Sequence, residues 1–132
     1  MASIHADEHR HMIGLASTII ALARHDACER ADEIARLRLQ FARLVNSHCA
    51  EEGRAIQDAV RAGIVPSDLA SSMQRELLAW RADLATCNCE WPSSRLIREP
   101  SEFAIRFRKL IEALQSYVAR EEAQILTPMG RA

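Results

Sequence analysis

Apolar residues recur at every third or fourth position along four segments of this chain, and a period of that kind specifies helices packed face to face. The first segment runs from about Ile4 to Arg24, with His5, His9, Met12, Ala16, Ile19 and Ala23 in one stripe. The second runs from about Ala27 to Ala62, with Ile34, Leu37, Phe41, Val45, His48, Glu52, Ala55 and Ala59 in line. The third covers Ser67 to Cys87 through Leu69, Met73, Leu77, Trp80 and Leu84. The fourth begins near Ser101, ends near Leu126, and carries Phe103, Phe107, Leu110, Leu114, Tyr117 and Glu121.

The punctuation supports these limits. Asp26 is placed to cap the second helix, with Glu29 completing a capping box. Gly63 ends that helix, and Pro66-Ser67-Asp68 opens the next. Asn88 to Pro100, with two prolines and two serines, reads as the one long connection. Pro128 is expected to stop the last helix. The sequence therefore predicts an all-α fold, an antiparallel up-down-up-down four-helix bundle, with residues 1–132 as a single domain.

Composition excludes several functions. A net charge of −1 with 27% charged residues gives no field that would attract nucleic acid or an anionic membrane. No apolar run reaches the roughly 20 residues of a membrane span, and the first eleven residues lack a signal-peptide pattern. The expected location is the cytoplasm, where the four cysteines stay reduced. Cys87-Asn88-Cys89 offers half a zinc site without a second pair at a usual spacing, so plain thiols are expected there. No Ser-His-Asp set, phosphate loop or dinucleotide fingerprint is present, and no catalytic residue is expected.

The stripes contain polar residues where the helical period demands core. His48 and Glu52 lie four residues apart and project from one face of the second helix. Glu121 does the same on the fourth helix, and His5 and His9 on the first. In an up-down bundle these positions fall in the same half of the molecule. A carboxylate in a dry core is costly unless it is paired or bound to a cation. Imidazoles and carboxylates converging from several helices suit non-haem iron. The alternative for a lone His–Glu pair is a hydrogen-bonded couple. His11, His25 and Glu51 fall off the stripes and are expected at the surface.

Three motifs resemble those of the hemerythrin-like, HHE-type cation-binding domains. Asp7-Glu-His9-Arg-His-Met-Ile13 resembles the family's first-helix histidine signature. Leu44-Val-Asn-Ser-His48-Cys-Ala-Glu-Glu52 resembles its second-helix H-x-x-x-E motif. The stretch from Leu114 to Pro128, with Glu121-Glu122 before an apolar pair and proline, resembles its fourth-helix motif. The resemblance covers roughly residues 3 to 128. It implies non-haem iron held by His9, His48, Glu52 and either Glu121 or Glu122, with a diatomic gas such as oxygen or nitric oxide as ligand, in a sensing or storage role. The chain departs from the family pattern at two places. Tyr117 stands where the fourth helix has a histidine, and the third helix, with Leu77 and Trp80 at the matching level, contains none. Tyr117 as a ligand to ferric iron, or an inward-turned Glu76, would compensate. The resemblance thus implies an incomplete site that holds one metal or has lost it.

A second function belongs to another class: a metal-free helical-bundle interaction or regulatory module that has lost the iron, working as a homodimer or with a protein partner. For it, Trp91, Leu96 and Ile97 in the long connection are either core cover or a docking patch.

Overall fold

The computed structural model describes the backbone of residues 2–131 and the side chains of residues 5–131. It is all helical, with no strand among the described residues. The elements are α1 (Ala2–Asp26), α2 (Ala31–Arg61), α3 (Ser67–Glu90), the short α4 (Ser93–Arg98), α5 (Pro100–Glu121), a π-helical turn (Glu122–Leu126) and a last short α6 (Thr127–Arg131). α1 packs against α2 and α5, α5 against α3, and α3 against α2, so the four long helices close a ring around one interior. None of the helices is long and apolar enough to cross a membrane.

The expected stripes face the interior, with His5, Ala55, Leu69 and Leu77 half-buried and the rest buried. Met12, Ala16, Ile19 and Ala23 face inward from α1, and Ile34, Phe41 and Val45 do so from α2. At the centre Phe103 stacks on Phe107 at 5.4 Å, Phe107 meets Phe41 edge-on at 5.8 Å, and Trp91 meets Phe103 edge-on at 5.8 Å. A second apolar cluster gathers Ala59, Val65, Met73, Tyr117, Ile125 and Leu126. Along α2 the two clusters are separated by His48 and Glu52, between Val45 of the first and Ala59 of the second.

Gly63 ends α2 as expected. It adopts φ +77°, and the Ile64 amide donates to the Ala59 carbonyl at 2.9 Å, closing the helix end.

Three local expectations are corrected. Asp26 does not cap α2. α1 runs on through Asp26, the Arg30 amide donates to the Asp26 carbonyl at 2.9 Å, and Arg30 precedes α2 without a side-chain bond. The junction is itself a turn in which the backbone carbonyl of Asp26, and not its carboxylate, takes the Arg30 amide. The stretch from Asn88 to Pro100 is not an open connection. α3 continues to Glu90, and α4 fills most of the remainder. Pro92 and Pro100 stand at helix starts, where a missing N–H costs nothing. Trp91 and Leu96 are buried core cover, and Ile97 is exposed.

Finally, Pro128 does not end the helical run. Before it the hydrogen-bond ladder widens, and the Thr127 amide reaches the Glu122 carbonyl five residues back. The Thr127 hydroxyl donates to the same carbonyl at 2.7 Å. The wider turn relieves the clash a proline ring makes in a regular helix.

Candidate metal centre

His9, His48, Glu52 and Glu121 are each at most 2% exposed, and they are the buried polar or charged residues among those described. α1 brings His9, α2 brings His48 and Glu52 four residues apart, and the end of α5 brings Glu121. The stripe phase places all four inside, since each occupies a position the helical period assigns to the core.

Their reactive atoms converge. Glu52 Oε2 lies 3.0 Å from His48 Nε2 and 3.2 Å from His9 Nε2. Glu121 Oε1 lies 3.3 Å from His9 Nε2. Close as they are, His48 Nε2, Glu52 Oε2 and Glu121 Oε1 are buried without a hydrogen-bond partner. Their approach is off the direction a ring N–H requires. Adjacent donors around a cation bonded at about 2.0–2.2 Å stand roughly 3.0–3.4 Å apart, so the spacing suits a shared ion. Ligand atoms of His9, Glu52 and Glu121 all lie within 4.8 Å of one another, and so do those of His5, His48 and Glu52.

A second ring of contacts orients these groups. His48 Nδ1 lies 2.7 Å from Glu8 Oε1, and His9 Nδ1 lies 2.8 Å from Glu122 Oε2. Each carboxylate accepts the proton on Nδ1, which turns Nε2 inward toward the central carboxylates. A carboxylate on the far nitrogen is the usual support of a metal-binding imidazole. The Tyr117 hydroxyl donates to Glu121 Oε2 at 2.7 Å and leaves Oε1 free.

The charges are strongly coupled. Burial opposes an imidazolium at His9, but Glu121, Glu52 and Glu122 outweigh it and lift its pKa to about 10. His48 is raised in the same way, burial being overcome by Glu52 and Glu8. Glu52 is held well below the usual carboxylate range, because its two histidines outweigh the cost of burying it. Glu121 is raised by burial and by the neighbouring charge of Glu52. Burial and the adjacent Glu121 also push the Tyr117 phenol up, keeping it protonated.

The sequence-derived residues fall as follows. His9, His48, Glu52 and Glu121 meet in one place. Tyr117 contacts Glu121, and Glu122 contacts the outer nitrogen of His9. Glu76 does not turn inward, because it forms a surface pair with Arg120 at 2.7 Å. On α3, Leu77 and Trp80 line the site without offering a ligand, and Trp80 Nε1 donates to the Leu110 carbonyl at 2.8 Å. His11, His25 and Glu51 are exposed. Cys87 is buried and Cys89 exposed, so this pair does not converge. Sequence reasoning missed Glu8. The signal was available, since 5, 8, 9 and 12 are neighbours on one helical face. A cleft lined by Cys49, Glu52, Ile56, Met73, Tyr117 and Glu121 leads to the two central carboxylates.

Comparisons of the chain with family models, with curated proteins and with solved structures gave no match, so the reading of the site rests on its own geometry.

Proposed function

We propose that this chain is a hemerythrin-like, antiparallel up-down-up-down bundle that binds non-haem iron in its core. His9, His48, Glu52 and Glu121 act as ligands. Glu8 and Glu122 fix the two imidazoles, and Tyr117 aims Glu121. One observation carries this reading: ligand atoms of the buried His9, Glu52 and Glu121 lie within 4.8 Å of one another, and Glu52 Oε2 and Glu121 Oε1 are buried without a hydrogen-bond partner. Buried polar atoms are otherwise almost always paired, and a cation beside His9 would satisfy both carboxylate oxygens together. Mixed imidazole and carboxylate ligands suit iron in either common oxidation state.

A bound iron would supply an open coordination position for a diatomic gas. The residues of this chain do the rest. Leu77, Trp80 and Leu114 keep bulk water from the site, and the cleft beside Tyr117 admits a small molecule. Nothing in the site pairs a nucleophile with a base, so a sensing or storage role in the cytoplasm fits better than turnover.

The test is metal binding by protein purified without a histidine tag, stripped with chelator and loaded with Fe(II) under anaerobic conditions. At least one equivalent should be retained, and Glu52→Gln should abolish retention. A chain that retains no iron, and no other divalent transition metal, is instead a metal-free bundle whose His–Glu contacts are structural.

A further inference from the structure

The seam between α2 and α3 opens into a cleft of about 70 Å³. Its walls are apolar, with Ile56 from α2, Ala70, Met73 and Leu77 from α3, and Ile125 from the π turn. Glu52 and Glu121 close its inner end, and one oxygen of each is buried without a hydrogen-bond partner. We infer that this cleft binds a short primary alkylammonium ion, with its head on Glu52 Oε2 and Glu121 Oε1 and its tail along Met73 and Leu77. This goes beyond the metal-binding reading, since the ligand is organic and enters from the α2–α3 side. Amine and metal would use the same two oxygens and exclude each other.

Three observations lead there. The first is Gly53, inside α2 and next to Glu52. Its φ is not positive, and a Cβ built on it would meet nothing within 4 Å. Neither the backbone nor the packing requires a glycine there, and glycine weakens a helix interior. What the missing side chain leaves is open space in the wall of the cleft. The second is size. One water-sized group takes about 30 Å³, so the cleft encloses roughly two such groups, a head and the first carbon, and the rest of a short tail lies in the mouth.

The third is the chemistry of the inner end. Both free atoms are carboxylate oxygens, so an occupant must donate hydrogen bonds, and an ammonium has three to give. Glu8, Glu52, Glu121 and Glu122 lie together, and among the described residues none of them forms an ion pair with lysine or arginine. Protonated His9 and His48 balance two of these four charges, which favours a cationic head over a neutral alcohol. Arg81 stands on the wall of the cleft and donates to Asn46 at 2.9 Å. Its charge repels a second cation, so a monoamine fits better than a diamine.

The test is a titration of chelator-stripped protein with n-propylammonium chloride, followed by the methyl resonances of Ile56, Met73 and Ile125 in carbon–proton correlation spectra. 1-Propanol and propionate are the controls. The variants are Gly53→Leu and Glu121→Gln, each checked for helical circular dichroism. In the wild type, propylammonium should saturate and shift the cleft methyls, and neither control should. Gly53→Leu fills the cleft without removing either oxygen. It should lose the shifts while melting no lower than the wild type, since leucine favours a helix. Glu121→Gln should weaken binding about tenfold or more. Zn(II) should displace the amine. Absence of any shift overturns the inference, as does 1-propanol binding as tightly or Gly53→Leu binding unchanged. Amine bound equally well with Zn(II) in place also overturns it, since the head then does not rest on Glu52 and Glu121. A chain that takes up Zn(II) or Fe(II) but no amine overturns this inference and leaves the metal-binding reading standing. One that binds amine but neither metal supports this inference and overturns the metal-binding reading.

Discussion

Glu8 Oε1 accepts the Nδ1 proton of His48 at 2.7 Å, across the seam between α1 and α2. The bond fixes which nitrogen of His48 faces the interior, so it controls the site from outside. Glu8 is 29% exposed and bears no part of the core. Glu8→Gln should therefore leave helical content unchanged and weaken metal binding by about 10- to 100-fold. Competition against a chromophoric chelator measures it, and unchanged affinity would show that Glu8 does not support His48.

The fold should survive without metal. The interior includes Phe41, Phe103, Phe107, Ile19, Ile34 and Leu110, all essentially inaccessible to solvent. Burial of each side chain contributes roughly 1.5–3 kcal/mol before conformational entropy is charged. Chelator should leave the helical circular dichroism unchanged, and metal should raise the melting temperature by binding only the folded state. Collapse of the helical signal in chelator would mean that the ion, and not this core, organises the bundle.

Phe107 holds that core together by touching both Phe103 and Phe41. Phe107→Ala should cost about 3–5 kcal/mol in urea unfolding, because the ring leaves a cavity as well as lost contacts. A loss under about 1 kcal/mol would show that neighbouring side chains collapse into the space.

Protons and metal compete for His9. Its folded pKa of about 10 lies above the ordinary value of 6.5, so the metal-free protein keeps the imidazolium at neutral pH. This proton-linked stability is fully present below about 6.5 and is lost as pH rises through about 10. A metal must displace the proton. Apparent affinity should therefore rise about tenfold per pH unit for each proton displaced, from pH 6.5 to 8.5. A flat profile would show that no imidazolium is displaced.

The four cysteines should separate by reactivity. Cys28 and Cys89 are exposed, Cys49 is half-buried and Cys87 is buried. Burial raises the Cys87 thiol and pushes Cys49 up to about 11, so both hold little thiolate at pH 8. A disulfide-exchange reagent at that pH should label two thiols quickly and the other two slowly. Their rates should climb as pH rises toward their pKa. Four equal rates would contradict this burial pattern.

The sequence made the long helices legible because their stripes are strict. The interior positions of His9, His48, Glu52 and Glu121 followed from the same phase. What it hid depends on neighbours in space. Glu8 shares the helical face of His5, His9 and Met12, but that it meets His48 depends on how α2 packs against α1. His5 lies on the α1 stripe one turn before His9, and its Nδ1 is covered. The prolines misled for a different reason. A proline forbids a regular helix only where an amide is needed or its ring clashes; Pro92 and Pro100 stand at helix starts, and Pro128 follows a widened turn.

The π turn at Glu122–Leu126 has a mechanical consequence. It holds one residue more than the regular ladder would use, so the chain beyond it is rotated by about 100° relative to an uninterrupted helix. Ile125 and Leu126, consecutive residues, are both buried as a result. Removing one residue from this stretch would re-phase everything after it while leaving Glu121 where α5 puts it. The terminal segment is thus geared separately from the helix that carries the ligand, so a one-residue deletion after Glu122 would swing the buried Ile125 and Leu126 out of phase while α5 still holds Glu121 beside His9.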